Sequence, residues 1–221
     1  MIKAITFDLD NTLINFLRMK TKASNAAAKA MVKAGLKISI KQCQKELFND
    51  YLKDIEGERV FQRYLKKNPS DRILAAAINA YLKVKQTYLK PYPKVKSTLK
   101  ELKKKGIRLA IVTDAPRLKA FQRLDAMGIV NYFDIVVGLE DTGKTKPSTL
   151  PFKKVLKELK LKPSQVLHVG DSISRDIKGA KAVGMKTCFA RYGSLSKRKS
   201  GADFEISSIQ ELIKIVINPS P

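Results

Sequence analysis

Two aspartates one residue apart, Asp8 and Asp10, follow an apolar-biased run from Ile2 to Phe7. The run holds Ile2, Ile5, Thr6 and Phe7, β-branched or aromatic residues, and reads as a buried strand. Side chains alternate along a strand, so Asp8 and Asp10 are expected on one face at its end. Two adjacent carboxylates repel, and burying either without a partner is costly. A cation between them removes both problems. The chemistry on offer is a metal site with one carboxylate free to act as a nucleophile. The competing reading is a polar strand end that caps a turn.

Three further stretches carry similar residues: Val112-Thr113-Asp114, Lys144-Thr145-Lys146-Pro147, and Gly170-Asp171-Ser172-Ile173-Ser174-Arg175-Asp176. Strands are expected before two of them, at Ile107 to Val112 and at Val166 to Val169. From residue 91 onward strand and helix patterns alternate. A helix with Val95, Leu99 and Leu102 ends at Gly106, and another runs from Pro116 to Gly128. Phe133 to Val137 reads as a short strand and 149 to 160 as a helix. A helix with Ile177, Ala180 and Val183 stops at Gly184, and Met185 to Ala190 is the next strand. Asp203 to Ile206 reads as an edge strand, Ser208 with Glu211 caps the last helix, and Asn218 to Pro221 should fray. Such alternation implies parallel strands with helices on both faces. Sites in open parallel sheets form beyond the carboxyl ends of strands, where Asp8, Thr113 and Asp171 all fall.

Residues from about 16 to 89 have a different character, helical with no convincing strand. Ala23, Ala26, Ala27, Ala30, Met31 and Ala34 recur at helical spacing until Gly35. Ser39 with Gln42 fits a capping box, and Leu47, Tyr51, Leu52 and Ile55 share a face. Gly57 and Asn68-Pro69-Ser70 punctuate before a longer helix with Ile73, Leu74, Ala77, Ile78, Tyr81 and Leu82. The aromatic stripes here read as core. Pro91-Tyr92-Pro93 marks the return to the alternating pattern. The expected organisation is thus an α/β, doubly wound, Rossmann-like core from 1–15 and 90–221, with an all-helical unit, 16–89, inserted after the first strand as a lid.

The 221 residues are 44% hydrophobic, enough for a sizeable core. No apolar run approaches the roughly 20 residues that span a bilayer, and a strand pattern begins at once, so a cytoplasmic location is expected. Cys43 and Cys188 are far apart and lack metal-ligand spacing. The formal net charge is +24, from 44 basic and 20 acidic residues. It would attract polyanions non-specifically. Because the lysines are scattered, a heat-adapted surface and steering of an anionic substrate are favoured over a specific nucleic-acid partner.

The four charged stretches, in this order, resemble the haloacid dehalogenase-like hydrolase superfamily, in particular its phosphatase branch with a helical cap after the first motif. Chemistry and resemblance agree that Asp8 attacks phosphorus to form an aspartyl-phosphate. Asp10 then protonates the leaving alcohol and later activates water. The resemblance implies Mg2+ on Asp8, the backbone carbonyl of Asp10, and Asp171. It also implies that Thr113 donates to a phosphate oxygen and that Lys146, with Lys144 as fallback, bridges nucleophile and phosphate. Asn11 and Asp114 are placed beside the phosphate, although many relatives have Asn or Ser where Asp114 stands. Thr12, Ser172 and Asp176 are expected to support the contacting residues, Asp176 through a water-mediated metal contact or as a partner of Lys146, and His168 to be structural. On the cap, Phe16, Arg18 and Lys20 are candidate substrate contacts.

The implied activity is hydrolysis of a small phosphorylated metabolite, with a sugar- or triose-phosphate as first guess, by a monomer or homodimer. A phosphomutase shares every motif. A dehalogenase would leave Asp10 and Asp171 without a task. A nucleic-acid binder would not need the acidic set.

Overall fold

The structure, a computed structural model, describes residues 1–53, 59–67 and 69–217. Ile55, Gly57, Asn68 and the tail from Asn218, where a helix face, two breaks and fraying were expected, lie outside the described residues. The chain separates into two compact units, Met1–Asn15 with Lys90–Pro221, and Phe16–Leu89.

The first unit begins with β1 (Ala4–Phe7), buried along its whole length. It is flanked by parallel neighbours on both sides, so its residues need to be apolar on both faces. Lys3 also joins the ladder, its N–H donating to Gln165 O at 2.8 Å and its carbonyl accepting from Arg108 N at 3.1 Å.

The second unit is helical: α1 (Phe16–Lys33), α2 (Ile40–Lys53), α3 (Val60–Tyr64) and α4 (Asp71–Tyr88). Its core gathers Ala27, Ala28, Met31, Cys43, Leu47, Leu65 and Ala77. Alanines on the facing sides of α1 and α4 let the two backbones approach closely. Ser70 caps α4 by accepting from Ile73 N at 3.4 Å. Only half of the expected capping box forms at α2. Ser39 Oγ accepts from Gln42 N at 3.1 Å, but the Gln42 side chain donates to Glu46 at 3.0 Å instead of reaching back.

The chain re-enters the first unit beside the point where it left. Ile14 bridges Pro91, and Tyr92 N donates to Leu13 O at 2.8 Å. Then follow α5 (Val95–Lys104), β2 (Arg108–Val112), α6 (Arg117–Ala126), β3 (Ile135–Val137), α7 (Thr149–Leu159), β4 (Val166–Gly170), α8 (Lys178–Lys181), β5 (Lys186–Ala190), β6 (Phe204–Ile206) and α9 (Leu212–Ile217). Among the described residues six strands form one parallel sheet in the order β3-β2-β1-β4-β5-β6. This is the doubly wound, Rossmann-like order, with β6 at an edge. The direction of winding reverses between β1 and β4, the place where such sheets bind ligands.

One face of the sheet buries Ala4, Ala110, Val112 and Val166 against Phe152, Val155 and Leu159 of α7 and Ala180 of α8. Thr6 and His168 share that face, since they are two residues from Ala4 and Val166. One element departs from the expected pattern. Ile173–Ile177 winds as a π-helical turn, so the α-helix after it is only four residues long. Asp176 therefore sits in this wide turn instead of an ordinary helix start.

Candidate active site

Asp8 is the first residue beyond β1, anchored by its N–H donating to Val169 O of β4 at 2.9 Å. Its carboxylate is buried. Oδ1 accepts from Lys146 Nζ at 2.5 Å, and Oδ2 accepts from Thr12 Oγ1 at 3.3 Å. Lys146 Nζ also donates to Asp176 Oδ1 at 2.6 Å and to Val112 O at 3.1 Å. Lys146 thus joins the ends of β1 and β2 to the turn after β4. Lys144, two residues earlier, is exposed, so the structure places Lys146 and not Lys144 at Asp8.

The two aspartates of the first motif do not face one cation together, as their spacing had suggested. The strand ends at Phe7, and a tight turn follows in which Asn11 has φ 61° and its N–H donates to Ile14 O at 2.7 Å. The turn sends Asp10 elsewhere: its Oδ2 accepts from Arg123 Nη1 at 2.6 Å. The carboxylates that do converge are Asp8, Asp171 and Asp176, with one oxygen of each within 4.8 Å of the others. Asp176 enters this cluster from a place expected behind it, and it is the partner of Lys146, which was one of its expected roles.

The three acids are not equivalent. Asp176 Oδ1 accepts from Lys146 and lies 3.4 Å from His168 Nε2, while Oδ2 accepts from Ser172 N at 3.0 Å. Burial works against its charge, but Lys146 and His168 outweigh burial and hold its pKa well below the carboxylate range. Asp171 is the opposite case. Its Oδ1 is buried with no hydrogen-bond partner among the described residues. Burial, then the charges of Asp8 and Asp176, push its pKa up to about 8. Burial likewise raises Asp8 against the pull of Lys146. Lys146 is itself raised, because Asp176, Asp8 and Asp114 overcome its desolvation. Three acids against one buried ammonium leave negative charge uncompensated. Asp8 and Asp171 are hard oxygen donors, one with an orphaned buried atom, and the set fits a hard divalent cation.

The other expected residues are placed as follows. Thr113 is buried just past β2, its N–H donating to Val137 O at 3.0 Å and its Oγ1 accepting from Ala115 N at 3.1 Å. Asp114 turns its carboxylate to protein groups: Oδ1 accepts from Lys146 N at 2.8 Å and Oδ2 from Arg175 Nη1 at 3.2 Å. Ser172 Oγ receives Arg175 Nε at 3.3 Å. His168 is fully buried, 2.9 Å from Thr6 Oγ1 and edge-on to Phe152 at 5.0 Å. Of the three residues proposed on the helical unit, Phe16 is buried, Arg18 stacks 5.6 Å from the Tyr88 ring, and Lys20 Nζ lies 4.9 Å from the Tyr51 ring.

A family model described as haloacid dehalogenase-like hydrolase matches residues 5–190, most of the chain. The chain belongs to this family. Among the relatives of this haloacid dehalogenase-like hydrolase is a glyceraldehyde 3-phosphate phosphatase of Methanocaldococcus jannaschii. It is 36% identical, over 99% of this chain and 98% of the relative. A phosphoglycolate phosphatase of Aquifex aeolicus is 31% identical over 98% of each. The solved structure of a HAD phosphatase from Thermococcus onnurineus superposes with a TM-score of 0.75 at 26% identity, covering 97% of this chain and 98% of that one.

Four residues of this hydrolase's site were not singled out by their sequence. Arg123 and Arg175 lie on helical segments where basic residues are common, and nothing local marks them as partners of Asp10 and Asp114. Tyr192 OH donates to Thr12 O at 2.8 Å and braces the turn after β1. A Cβ on Gly193 would collide with the Asn11 carbonyl, so the chain after β5 approaches that turn as only glycine can. Gly170 is a similar case: a Cβ there would run into the Asp176 side chain. A glycine before Asp171 was the one such signal that sequence did offer.

Proposed function

We propose that this chain is a magnesium-dependent phosphatase that hydrolyses a small phosphorylated metabolite through an aspartyl-phosphate on Asp8. The observation that carries the proposal is the fixed Asp8 carboxylate, gripped by Lys146 at 2.5 Å beside the acidic cluster at the sheet's switch point. A nucleophile must be aimed and its charge balanced before attack, and Lys146 does both. An Asp8 oxygen attacks phosphorus while the ester P–O bond breaks. Asp10 gives a proton to the departing oxygen. Asp10 then takes a proton from water, which attacks phosphorus and releases phosphate as the Asp8–phosphorus bond breaks. Lys146 and the Thr113 hydroxyl stabilise the phosphoryl oxygens. Asp8, Asp171 and the backbone carbonyl of Asp10 would hold Mg2+, which when bound neutralises charge on the cluster and on the phosphoryl group.

Relatives described as glyceraldehyde 3-phosphate and phosphoglycolate phosphatases support a small substrate, and a triose phosphate is the first to try. In this reading unit Phe16–Leu89, inserted directly after the nucleophile's turn, is the cap that selects the substrate. The test is a panel of phosphate esters with and without Mg2+. Phosphate release should vanish with chelator and in Asp8→Asn. Full activity in Asp8→Asn would refute the proposal.

A further inference from the structure

We propose that Arg123 is a positioning residue for Asp10, setting the direction in which that carboxyl group exchanges its proton. The inference rests on the phosphatase reading above. Arg123 reaches from α6 to Asp10, and its side chain is only 6% exposed. A guanidinium at that depth requires a counter-charge, and the Asp10 carboxylate, 2.6 Å from Nη1, supplies it.

The dependence also runs the other way. The Asp10 side chain is 21% exposed against 6% for Asp8, and Asp10 lies beyond the last paired residue of β1, next to the left-handed Asn11. Asp8, also past the end of β1, is fixed by Lys146, Thr12 and its own N–H on Val169 O. For Asp10 the charge-assisted bond from Arg123 grips one carboxylate oxygen. A carboxylate gripped at Oδ2 has its plane held, and with it the direction in which its proton is exchanged.

The origin of the grip matters as well. α6 begins four residues after Thr113. Arg123 therefore ties the acid–base residue, carried by β1, to the end of β2 where Thr113 sits. Thr113 lies in the turn leading into α6, so Arg123 links the proton donor to the helix that follows that hydroxyl.

The test compares benzyl phosphate with 4-nitrophenyl phosphate, two esters with rings of like size. Benzyl alcohol needs a proton to leave, whereas 4-nitrophenolate departs without one. kcat/KM covers the steps up to release of the alcohol or phenol, and kcat also includes hydrolysis of the phosphoenzyme. Arg123→Met should lower kcat/KM for benzyl phosphate about 10- to 100-fold more than for 4-nitrophenyl phosphate, within the range of general acid catalysis. It should also give a burst of 4-nitrophenol, because water activation by Asp10 slows for both esters. Arg123→Lys, which keeps a cation in the same place and the buried pair intact, should show the same selective loss at smaller size. An equal fall for the two esters in either variant, without a burst, would overturn the inference and leave the phosphatase reading standing. Failure of the unaltered chain to hydrolyse either ester would instead overturn the phosphatase reading.

Discussion

Asp114 accepts a hydrogen bond from the backbone N–H of Lys146 at 2.8 Å, and with its other oxygen it holds Arg175 at 3.2 Å. The two partners account for an acid at this position. A carboxylate can accept from both sides at once, joining the loop after β2 to the loop of Lys146 and to the turn after β4. Asp114 acts on Lys146, and its charge stays off the phosphate.

Removing that clasp should loosen Lys146 without removing it. Asp114→Ala should lower kcat about 10- to 100-fold, the scale of a small misplacement of a catalytic group. Asp114→Asn keeps an acceptor for Lys146 N and should lose less. Steady-state kinetics on the two variants checks this, and a larger loss in Asn than in Ala would count against it.

Lys146 itself holds two buried carboxylates. Lys146→Met should cost about 3–5 kcal/mol in the metal-free protein, because a buried pair broken on one side leaves charge uncompensated. Urea unfolding in the presence of chelator measures it. An unchanged midpoint would mean that Asp8 and Asp176 do not depend on this lysine.

Asp171 gives a pH signature. Its folded pKa, about 8, lies above its ordinary value of 3.8, so the native state binds the extra proton between those values. Ionising it in the metal-free fold is unfavourable, and its contribution to stability falls as pH rises from about 4 to 8. Asp176 has the opposite shift, and its contribution is already complete above pH 4. A cation that takes the Asp171 carboxylate reverses the penalty. The gain in Tm on adding Mg2+ should therefore be larger at pH 8 than at pH 5, and Asp171→Asn should abolish the difference. Equal gains at both pH values in the unaltered chain would contradict this.

Gly193→Ala tests the brace on the turn after β1. The added methyl would meet the Asn11 carbonyl, a backbone atom with little freedom to yield. Circular dichroism should show the fold retained while kcat falls about 10- to 100-fold, as Asp10 and Thr12 shift with the turn. Wild-type turnover would show that the turn accommodates the methyl.

The fold was largely legible because strands buried on both faces must be apolar and because alternating elements admit few topologies. β2 was expected from Ile107 and begins at Arg108, and the edge strand expected from Asp203 begins at Phe204. The turn at Ile173–Ile177 was not legible, since nothing in ISRDI separates a π-turn from an α-helix. In the site, the residues at strand ends could be found because the sheet dictates where they gather. The direction of Asp10 could not. Asp10 meets Arg123, 113 residues away in sequence, whereas Asp176 meets Lys146, a partner its motif had offered. Period-two alternation predicts a side chain's face only while the strand lasts, and β1 stops before both aspartates of the first motif.

The central claim is that Asp8 carries the phosphoryl group. The direct measurement is mass spectrometry of Asp10→Asn, quenched in acid during turnover of 4-nitrophenyl phosphate, whose leaving group needs no proton, with Mg2+ present. Without its base the phosphoenzyme should accumulate, and the peptide bearing Asp8 should gain the mass of one phosphoryl group. Continued release of phosphate with that peptide unmodified, or with the phosphoryl group on another residue, would contradict the account.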